Sequence, residues 1–443
     1  MTKKVRTRFA PSPTGIMHIG NLRTALYEYL IAKSSDGDFI LRIEDTDQER
    51  YKEEAEAAIY KALLCSGLKH DEGPDIGGKF GPYIQSQRKD RYLPYAKKLV
   101  DEGKAYYCFC TKERLEALKN EEDSEFSGYD RKCRNLDKNT VNELLSKKVP
   151  YVIRQKMPIE GATTFCDEVF GEITVENKEL QDQILIKADG FPTYNFANVI
   201  DDHEMAITDV VRGCEYLSST PKYNLLYEAF GWQIPRYVHL PLIMGKNEDG
   251  SITKLSKRHG SVGFDDLLSE GYLPEAIINY IALLGWCPEG NREIFSLKDL
   301  TKEFSVSRIS KSPSVFDYDK LEWFNGEYLR NESIEKFVEH SEKYIREGIG
   351  ETSLDIQKIA AVLHQRVTKL TQIPDMISFF AKLPVYDKEL FINKKSKTNL
   401  ENSLSSLKIA KEKLENLQSW NFENLHKLLL NLASEHGLKN GTL

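Results

Sequence analysis

Apolar and polar residues alternate at the start of the chain. Val5, Thr7 and Phe9 share one face and Arg6, Arg8 and Ala10 the other, the period-two pattern of a strand. Pro11, Pro13 and Gly15 then break the ladder, because two prolines and a glycine cannot continue it. From Asn21 the apolar period becomes helical through Leu22, Ala25, Leu26, Tyr29 and Leu30. Asp36-Gly37-Asp38 reads as a turn and Phe39 to Ile43 as a short apolar strand. A second helix carries Ala55, Ala58, Ile59, Ala62 and Leu63 on one face. Strand, helix, strand in this order implies a parallel pair with a right-handed crossover, the first half of a doubly wound nucleotide-binding sheet.

A similar half follows later. Ile184 to Ile186 reads as a strand, Tyr194 to Val199 as helix, Ala206 to Val211 as strand, Pro221 to Phe230 as helix and Tyr237 to Ile243 as strand. Residues between the halves form an insertion, and beyond Leu273 the pattern is helical almost throughout. The expected architecture is an α/β doubly wound (Rossmann-like) catalytic domain split over 1–75 and 181–260, with an inserted α+β subdomain at 76–180. A helical linker at 261–330 and an all-helical C-terminal region at 331–443 complete it.

At roughly 150 residues per domain, 443 residues suit about three domains, and 40% apolar residues can fill several cores. No stretch approaches the roughly 20 apolar residues that cross a bilayer, so no membrane association is expected. Met1 to Val5 is basic with no apolar run behind it, unlike a secretory signal. Seven cysteines are sparse and odd in number, which points away from a disulfide framework and toward a reducing cytoplasm. With 61 basic against 68 acidic residues, the chain does not grip nucleic acid by overall charge, though a locally basic groove stays open.

Two segments carry candidate chemistry. The loop after the first strand contains His18-Ile19-Gly20-Asn21. Gly20 lets a nucleotide approach the backbone, and His18 with the free N–H groups of the new helix can face phosphate oxygens. Lys254-Leu255-Ser256-Lys257-Arg258 places three cations and a hydroxyl in five residues, suited to clamping a polyphosphate. Taken singly, the first reads equally as a tight connection with a surface histidine and the second as a solvated basic loop. Together they lie in order, 236 residues apart from 18 to 254, each after a strand of a separate half.

That arrangement resembles class I aminoacyl-tRNA synthetases, whose motifs are His-Ile-Gly-His and Lys-Met-Ser-Lys-Ser. This chain departs at Asn21, Leu255 and Arg258. Asn still donates a hydrogen bond and Leu for Met is nearly isosteric. The flanks Arg6–Gly15, Leu41–Asp47, Phe191–Tyr194, Asn198–His203 and Asp209–Gly213 resemble the glutamyl-tRNA synthetase family, from about Val5 to about Arg330.

The resemblance implies an ATP-dependent ligase that joins L-glutamate to tRNA-Glu through a glutamyl-adenylate, with Mg2+ on the phosphates. It implies catalytic roles for His18, Lys254 and Lys257, and ATP binding by these with Gly20, Asn21, Ser256 and Arg258. Glutamate would meet Arg8, Ser12, Glu44, Tyr194, Asn198 and Arg212. Chemically, two carboxylates need cations, which Arg8 and Arg212 supply, and the ammonium needs an anion, which Glu44 supplies. Arg8 and Glu44 also suit a structural ion pair, and Tyr194 a core position. Relatives can hold a structural zinc, here with Cys108, Cys110, Cys133 and Tyr129, Asn135 standing where others have a histidine ligand. The alternative is ordinary reduced cysteines.

The insertion should contact the acceptor end through Tyr106, Tyr107, Arg131, Lys132 and Arg134, and the C-terminal helices the anticodon near Gln365 and Arg366. A monomer is expected. Relatives usually continue for some tens of residues past a point such as Leu443, so the chain is naturally short or truncated. Whether tRNA-Gln is also charged stays open. The other readings are a relative that glutamylates an anticodon base, a small-molecule nucleotidyltransferase and a non-catalytic tRNA-binding module. The first two need no helical C-terminus, and the third needs neither cationic motif. Glutaminyl-tRNA synthetase, the nearest sibling, usually reads the anticodon with β-barrels.

Overall fold

Strand β1 (Arg6–Phe9) pairs in parallel with β2 (Asp38–Leu41), in register from Arg6↔Asp38 to Phe9↔Leu41, and helix α1 (Ile19–Lys33) crosses between them. These are seen in a computed structural model that describes residues 4–47, 50–120 and 129–438. Helix α1 starts before the apolar period does, because His18 caps it: its Nδ1 accepts from the Gly20 N–H at 3.0 Å. Leu22, Leu26 and Leu30 are buried with Phe9, Phe39 and Leu41 in one core. Helix α2 (Glu53–Cys65) follows, with Glu53, Glu54 and Glu56 in its first turn, where the helix dipole favours anions.

The middle of the chain runs α3 (Lys89–Asp101), β3 (Ala105–Cys108), α4 (Lys112–Asn120), α5 (Lys138–Ser146), β4 (Val152–Gln155), β5 (Ala162–Asp167), β6 (Gly171–Glu176) and β7 (Ile184–Ile186). One correction arises here. Strand β7 pairs antiparallel with β4, in the order β3-β4-β7, so 184–186 belongs to the sheet of the insertion and does not open the second half. The β5–β6 hairpin does the reverse: β5 pairs in parallel with β9 at Asp167↔Tyr237.

Helix α6 (Tyr194–Glu204) leads to β8 (Asp209–Gly213), helix α7 (Thr220–Phe230) and β9 (Arg236–Leu240), with β8 and β9 in parallel register. Strand β8 begins later than Ala206 because Ala206 sits at φ 54°, where the chain turns out of α6. Pro221 in the first turn and left-handed Gly231 at the C-cap bound α7 as expected for those residues. The single strand expected over Tyr237–Ile243 is two. Pro241 has no N–H for a ladder, and β10 (Ile243–Lys246) turns away to pair with β11 (Ile252–Lys254). Helices α8 (Phe264–Ser269), α9 (Pro274–Ala282) and α10 (Leu297–Glu303) follow, then β12 (Ser314–Val315), a two-residue strand parallel to β10 that interrupts the expected helical run, and α11 (Tyr318–Asn331). Ile277, Ile281 and Trp286 pack into the same core as α1.

Met1–Glu342 with Gln357–Gln372 forms one compact unit, and Lys343–Ile356 with Ile373–Leu443 a second. The remaining helices are α12 (Ile334–Ile349), α13 (Ile356–Leu363), α14 (Ile373–Ala381), α15 (Leu400–Glu415) and α16 (Phe422–Glu435). Among its described residues the second unit contains no strand, only an isolated bridge between Asn393 and Thr398. Among the described residues no helix is long and apolar enough to cross a membrane.

Candidate active site

A cavity of about 360 Å³ opens where β1, β8 and β9 end, beyond the carboxyl edge of the parallel strands. Its wall contains Arg8, Ser12, His18, Gly20, Asn21, Glu44, Tyr194, Arg212 and Lys254. The two motif segments meet at its mouth. The Ile19 N–H donates to the Val262 carbonyl at 2.9 Å and the Phe264 N–H to the Met17 carbonyl at 2.9 Å, bridging His18 and Gly263.

Lys254 and Leu255 line the cavity, whereas Ser256, Lys257 and Arg258 continue past its wall. The loop is held from inside by His259. Its Nδ1 accepts from the Ser256 N–H at 3.0 Å and its Nε2 lies 3.2 Å from Thr253 Oγ1. A side chain at Gly245 would put Cβ 2.5 Å from the His259 ring, and Gly260, at φ +117°, lies against the Tyr318 hydroxyl. Lys257 and Arg258 are left exposed, with Arg258 donating to Thr253 Oγ1 at 3.1 Å. His18 is kept neutral by burial and by the cation of Lys254, both of which lower its pKa. Because Nδ1 accepts from Gly20, the ring proton is on Nε2.

The two arginines differ sharply. Arg8 already holds two carboxylates: a fork on Asp202 at 3.1 and 3.2 Å and a contact with Glu28 at 3.1 Å. Asp202 is shared with Arg42 at 2.7 Å, and Arg42 in turn holds Glu44 at 2.9 Å. Burial pushes Asp202 up, but Arg8 and Arg42 more than reverse it, so its carboxyl titrates below the usual range. Arg8 and Glu44 are therefore joined through Asp202 and Arg42 and are not a direct pair. Arg212 is 7% exposed and, among the described residues, has no carboxylate within ion-pair distance. Its partners are neutral: His239 Nε2 at 3.1 Å, Thr220 Oγ1 at 2.8 Å and the faces of Tyr216, Tyr223 and Tyr237. A desolvated cation without a counter-ion is costly unless a ligand supplies one.

Asn198 is the one expected glutamate ligand outside the cavity wall. It lies one turn along α6 from Tyr194 and is 3% exposed. Sequence reasoning missed Arg23, Thr24, Glu28, Glu215 and Tyr216, which also line the cavity. Glu28 is buried, its Oε2 has no hydrogen-bond partner among the described residues, and burial drives its carboxyl well above the usual range against the pull of Arg8. A signal was present: Glu28 is the one acidic residue in the helical run Ile19–Lys33, on the face of Gly20 and Thr24.

In the insertion, Cys108, Cys110 and Cys133 hold their sulfurs within 4.8 Å of one another. Cys110 and Cys133 are 3.5 Å apart, and the Tyr129 hydroxyl lies 3.2 Å from Cys108 and 3.9 Å from Cys110. Sulfurs around tetrahedral zinc sit about 3.8 Å apart, given bonds of about 2.3 Å, so this set fits the ion in size and donor type. Burial, with Cys133 and Cys108 beside it, pushes the Cys110 thiol up to about 12. No other trio of His, Cys, Asp or Glu among the described residues suits a metal.

Strand geometry corrects the acceptor-end candidates. Successive residues of β3 point to opposite faces, so Tyr106 is buried, donating to Asp182 at 2.8 Å, and cannot stack on a base. Arg134 is tied to the same Asp182 at 2.8 Å, and Arg131 donates to the Leu180 carbonyl at 3.0 Å. Lys132 is exposed, and Tyr107 is half-buried, packing on Tyr151 and Phe109. Gln365 and Arg366 are exposed, just past α13.

Residues 4–323 match the family of class I tRNA synthetases (E and Q), catalytic domain, and residues 335–443 an anticodon binding domain. A glutamate–tRNA ligase of Clostridium kluyveri is 58% identical over 440 residues, covering 99% of this chain and 89% of that protein. One from Clostridium acetobutylicum is 57% identical, covering 99% and 90%. The crystal structure of a glutamate tRNA ligase from Elizabethkingia meningosepticum, in complex with its amino acid, superposes with a TM-score of 0.89 at 37% identity, covering 99% of this chain and 92% of that one.

Proposed function

The chain belongs to the class I tRNA synthetase family of glutamate and glutamine, and from that premise we propose that it is a glutamate–tRNA ligase whose amino-acid site is the cavity around Arg212. The observation that carries the reading is the buried guanidinium of Arg212, which faces the cavity with, among the described residues, only neutral hydrogen-bond partners. It demands an anionic ligand, and a glutamate side chain supplies one where glutamine does not. Among the described residues Arg8 keeps one Nη2 N–H uncommitted, which would meet the α-carboxylate of the ligand, and Glu44, Ser12 and Tyr194 also line the wall.

In the first step a glutamate α-carboxylate oxygen attacks the α-phosphorus of ATP, the bond to the bridging oxygen breaks, and pyrophosphate leaves. His18, as an Nε2–H donor, and Lys254 stand at the mouth for the phosphates. Lys257 and Arg258, outside the wall, would reach them as the loop closes over bound ATP. In the second step a ribose hydroxyl of the terminal adenosine, the 2′-OH by family resemblance, attacks the carbonyl and AMP leaves. No protein nucleophile is used; positioning and charge do the work. Among the described residues no trio of carboxylates around the cavity is placed to hold a metal, so Mg2+ would be carried by the phosphates of ATP and would supply positive charge for the leaving pyrophosphate.

The reading extends outward. Residues 76–180 would receive the acceptor end, 261–330 the stem and 331–443 the anticodon of tRNA-Glu. Cys108, Cys110, Cys133 and Tyr129 would hold a zinc ion that ties β3 to the segment at 129–133 and takes no part in catalysis. We infer a monomer in a reducing cytoplasm, in keeping with seven free cysteines. The test is charging of purified tRNA-Glu and tRNA-Gln with labelled glutamate. Charging of tRNA-Glu supports the proposal, charging of both extends it to a non-discriminating enzyme, and charging of neither overturns it.

A further inference from the structure

Behind Arg212 lies a chain of polar groups with no exposure to solvent. His239, on β9, is 0% exposed, and Asp167, at the end of β5, is 1% exposed. Asp167 Oδ2 lies 2.7 Å from His239 Nδ1 and also accepts the His239 backbone N–H at 3.0 Å. Its Oδ1 accepts from the N–H groups of Val169 and Phe170 at 2.9 and 2.8 Å. The carboxylate is thus fixed by four donors. On the other side of the ring, His239 Nε2 lies 3.1 Å from Arg212 Nε.

Donor logic sets the tautomer. An arginine Nε–H only donates, so Nε2 must accept; a carboxylate only accepts, so Nδ1 must carry the proton. We propose that Asp167 and His239 are positioning residues that aim Arg212 into the cavity: Asp167 imposes the neutral Nδ1–H tautomer, and the lone pair left on Nε2 fixes the guanidinium. This rests on the reading of Arg212 as the receptor of the glutamate side-chain carboxylate. Any other ring state presents N–H against N–H and breaks the hydrogen bond that ties Arg212 to β9. Burial and the neighbouring guanidinium both hold the ring neutral, while Asp167 opposes them. Because the guanidinium spends its Nε on a neutral acceptor, it keeps its full charge for the ligand. A carboxylate in the place of His239 would instead cancel that charge and abolish the preference for an anionic side chain.

The relay also joins two parts of the chain. Asp167 lies within the segment read as the insertion, and Arg212 on the sheet that the insertion interrupts.

The experiment compares Arg212→Ala, His239→Leu and His239→Gln in the full-length enzyme, measuring KM for glutamate and for ATP, with kcat, in aminoacylation. His239→Leu removes the acceptor and is expected to raise the glutamate KM about 10- to 100-fold, the worth of a charge-assisted hydrogen bond, with the ATP KM within about twofold. His239→Gln returns an amide oxygen to Arg212 and should recover most of that loss. If Arg212→Ala raises the glutamate KM while His239→Leu does not, the relay is wrong and the glutamate site stands. If Arg212→Ala leaves it unchanged, the site itself is misassigned. Equal rises in both KM values for His239→Leu mark a merely structural histidine and overturn the proposal. Should that variant not fold, nitrogen-15 NMR of the wild-type imidazole decides: a protonated Nδ1 with bare Nε2 supports the relay, and the opposite tautomer ends it.

Discussion

The Ile19 N–H donates to the Val262 carbonyl at 2.9 Å, joining two loops that are 243 residues apart along the chain, from 19 to 262. That bond places the His18 segment and the Lys254 segment on one mouth. Of the cations in the second segment, Lys254 lines the cavity with His18 and Arg212, and Lys257 and Arg258 lie outside its wall; in the proposed reading this segment serves the phosphates and Arg212 the glutamate.

From this division, Lys254→Ala and Lys257→Ala should each lower the rate of adenylate formation by about 10²-fold or more, the scale of losing one aimed charge at a developing anion. Glutamate KM should stay within about twofold. A tRNA-dependent pyrophosphate-exchange assay reads both quantities. Wild-type rates for Lys257→Ala would mean that the exposed lysine never reaches the phosphates.

The shared carboxylate of Asp202 gives a stability prediction. It neutralises Arg8 and Arg42 together, and all three side chains are almost fully buried. Asp202→Asn leaves two guanidinium groups under-compensated, at a cost of about 3–5 kcal/mol. Urea unfolding followed by circular dichroism measures it, and a change below about 1 kcal/mol would contradict the network as drawn.

His18 gives a pH prediction. Its folded pKa lies below 6.5, held down by burial and then by Lys254. The unfolded chain therefore takes up the proton first. The stability carried by neutral His18 is present above the unfolded value and is lost as pH falls below about 6.5. Protonation of Nδ1 also breaks the cap on the Gly20 N–H. In Lys254→Met, proton NMR should find the His18 midpoint moved upward toward 6.5. A midpoint that falls or stays would remove Lys254 from the neighbourhood of the ring.

For the cysteine cluster, purified protein should carry about one zinc per chain. Binding must displace protons, since the Cys110 thiol alone titrates near 12, so loading should weaken as pH falls. Cys133→Ser should abolish zinc and raise the KM for tRNA, with glutamate KM unchanged. Metal analysis giving no zinc from a zinc-supplemented preparation would refute the site.

Much of this was legible beforehand because local pattern and tertiary role agreed. β1, α1 and β2 follow from alternation, an apolar helical period and a turn, and the cavity forms where that pattern ends. The misses have local causes. Pro241 hid a strand break inside an apolar run. Tyr106 and Tyr107 look alike in sequence, and only the facing of β3 buries one and half-exposes the other. Glu28 was concealed by the aromatic and aliphatic residues around it on α1. Asp167 and His239 lie 72 residues apart on strands whose pairing no short-range pattern encodes.

The hairpin formed by β5 and β6 extends the parallel sheet beyond β9. An engineer who treated residues 76–180 as a cassette, to be cut out or exchanged between enzymes, would strip that edge and leave the backbone of β9 open as a template for other chains. Transplants that retain 162–176 on the recipient scaffold should stay soluble where whole-segment swaps aggregate.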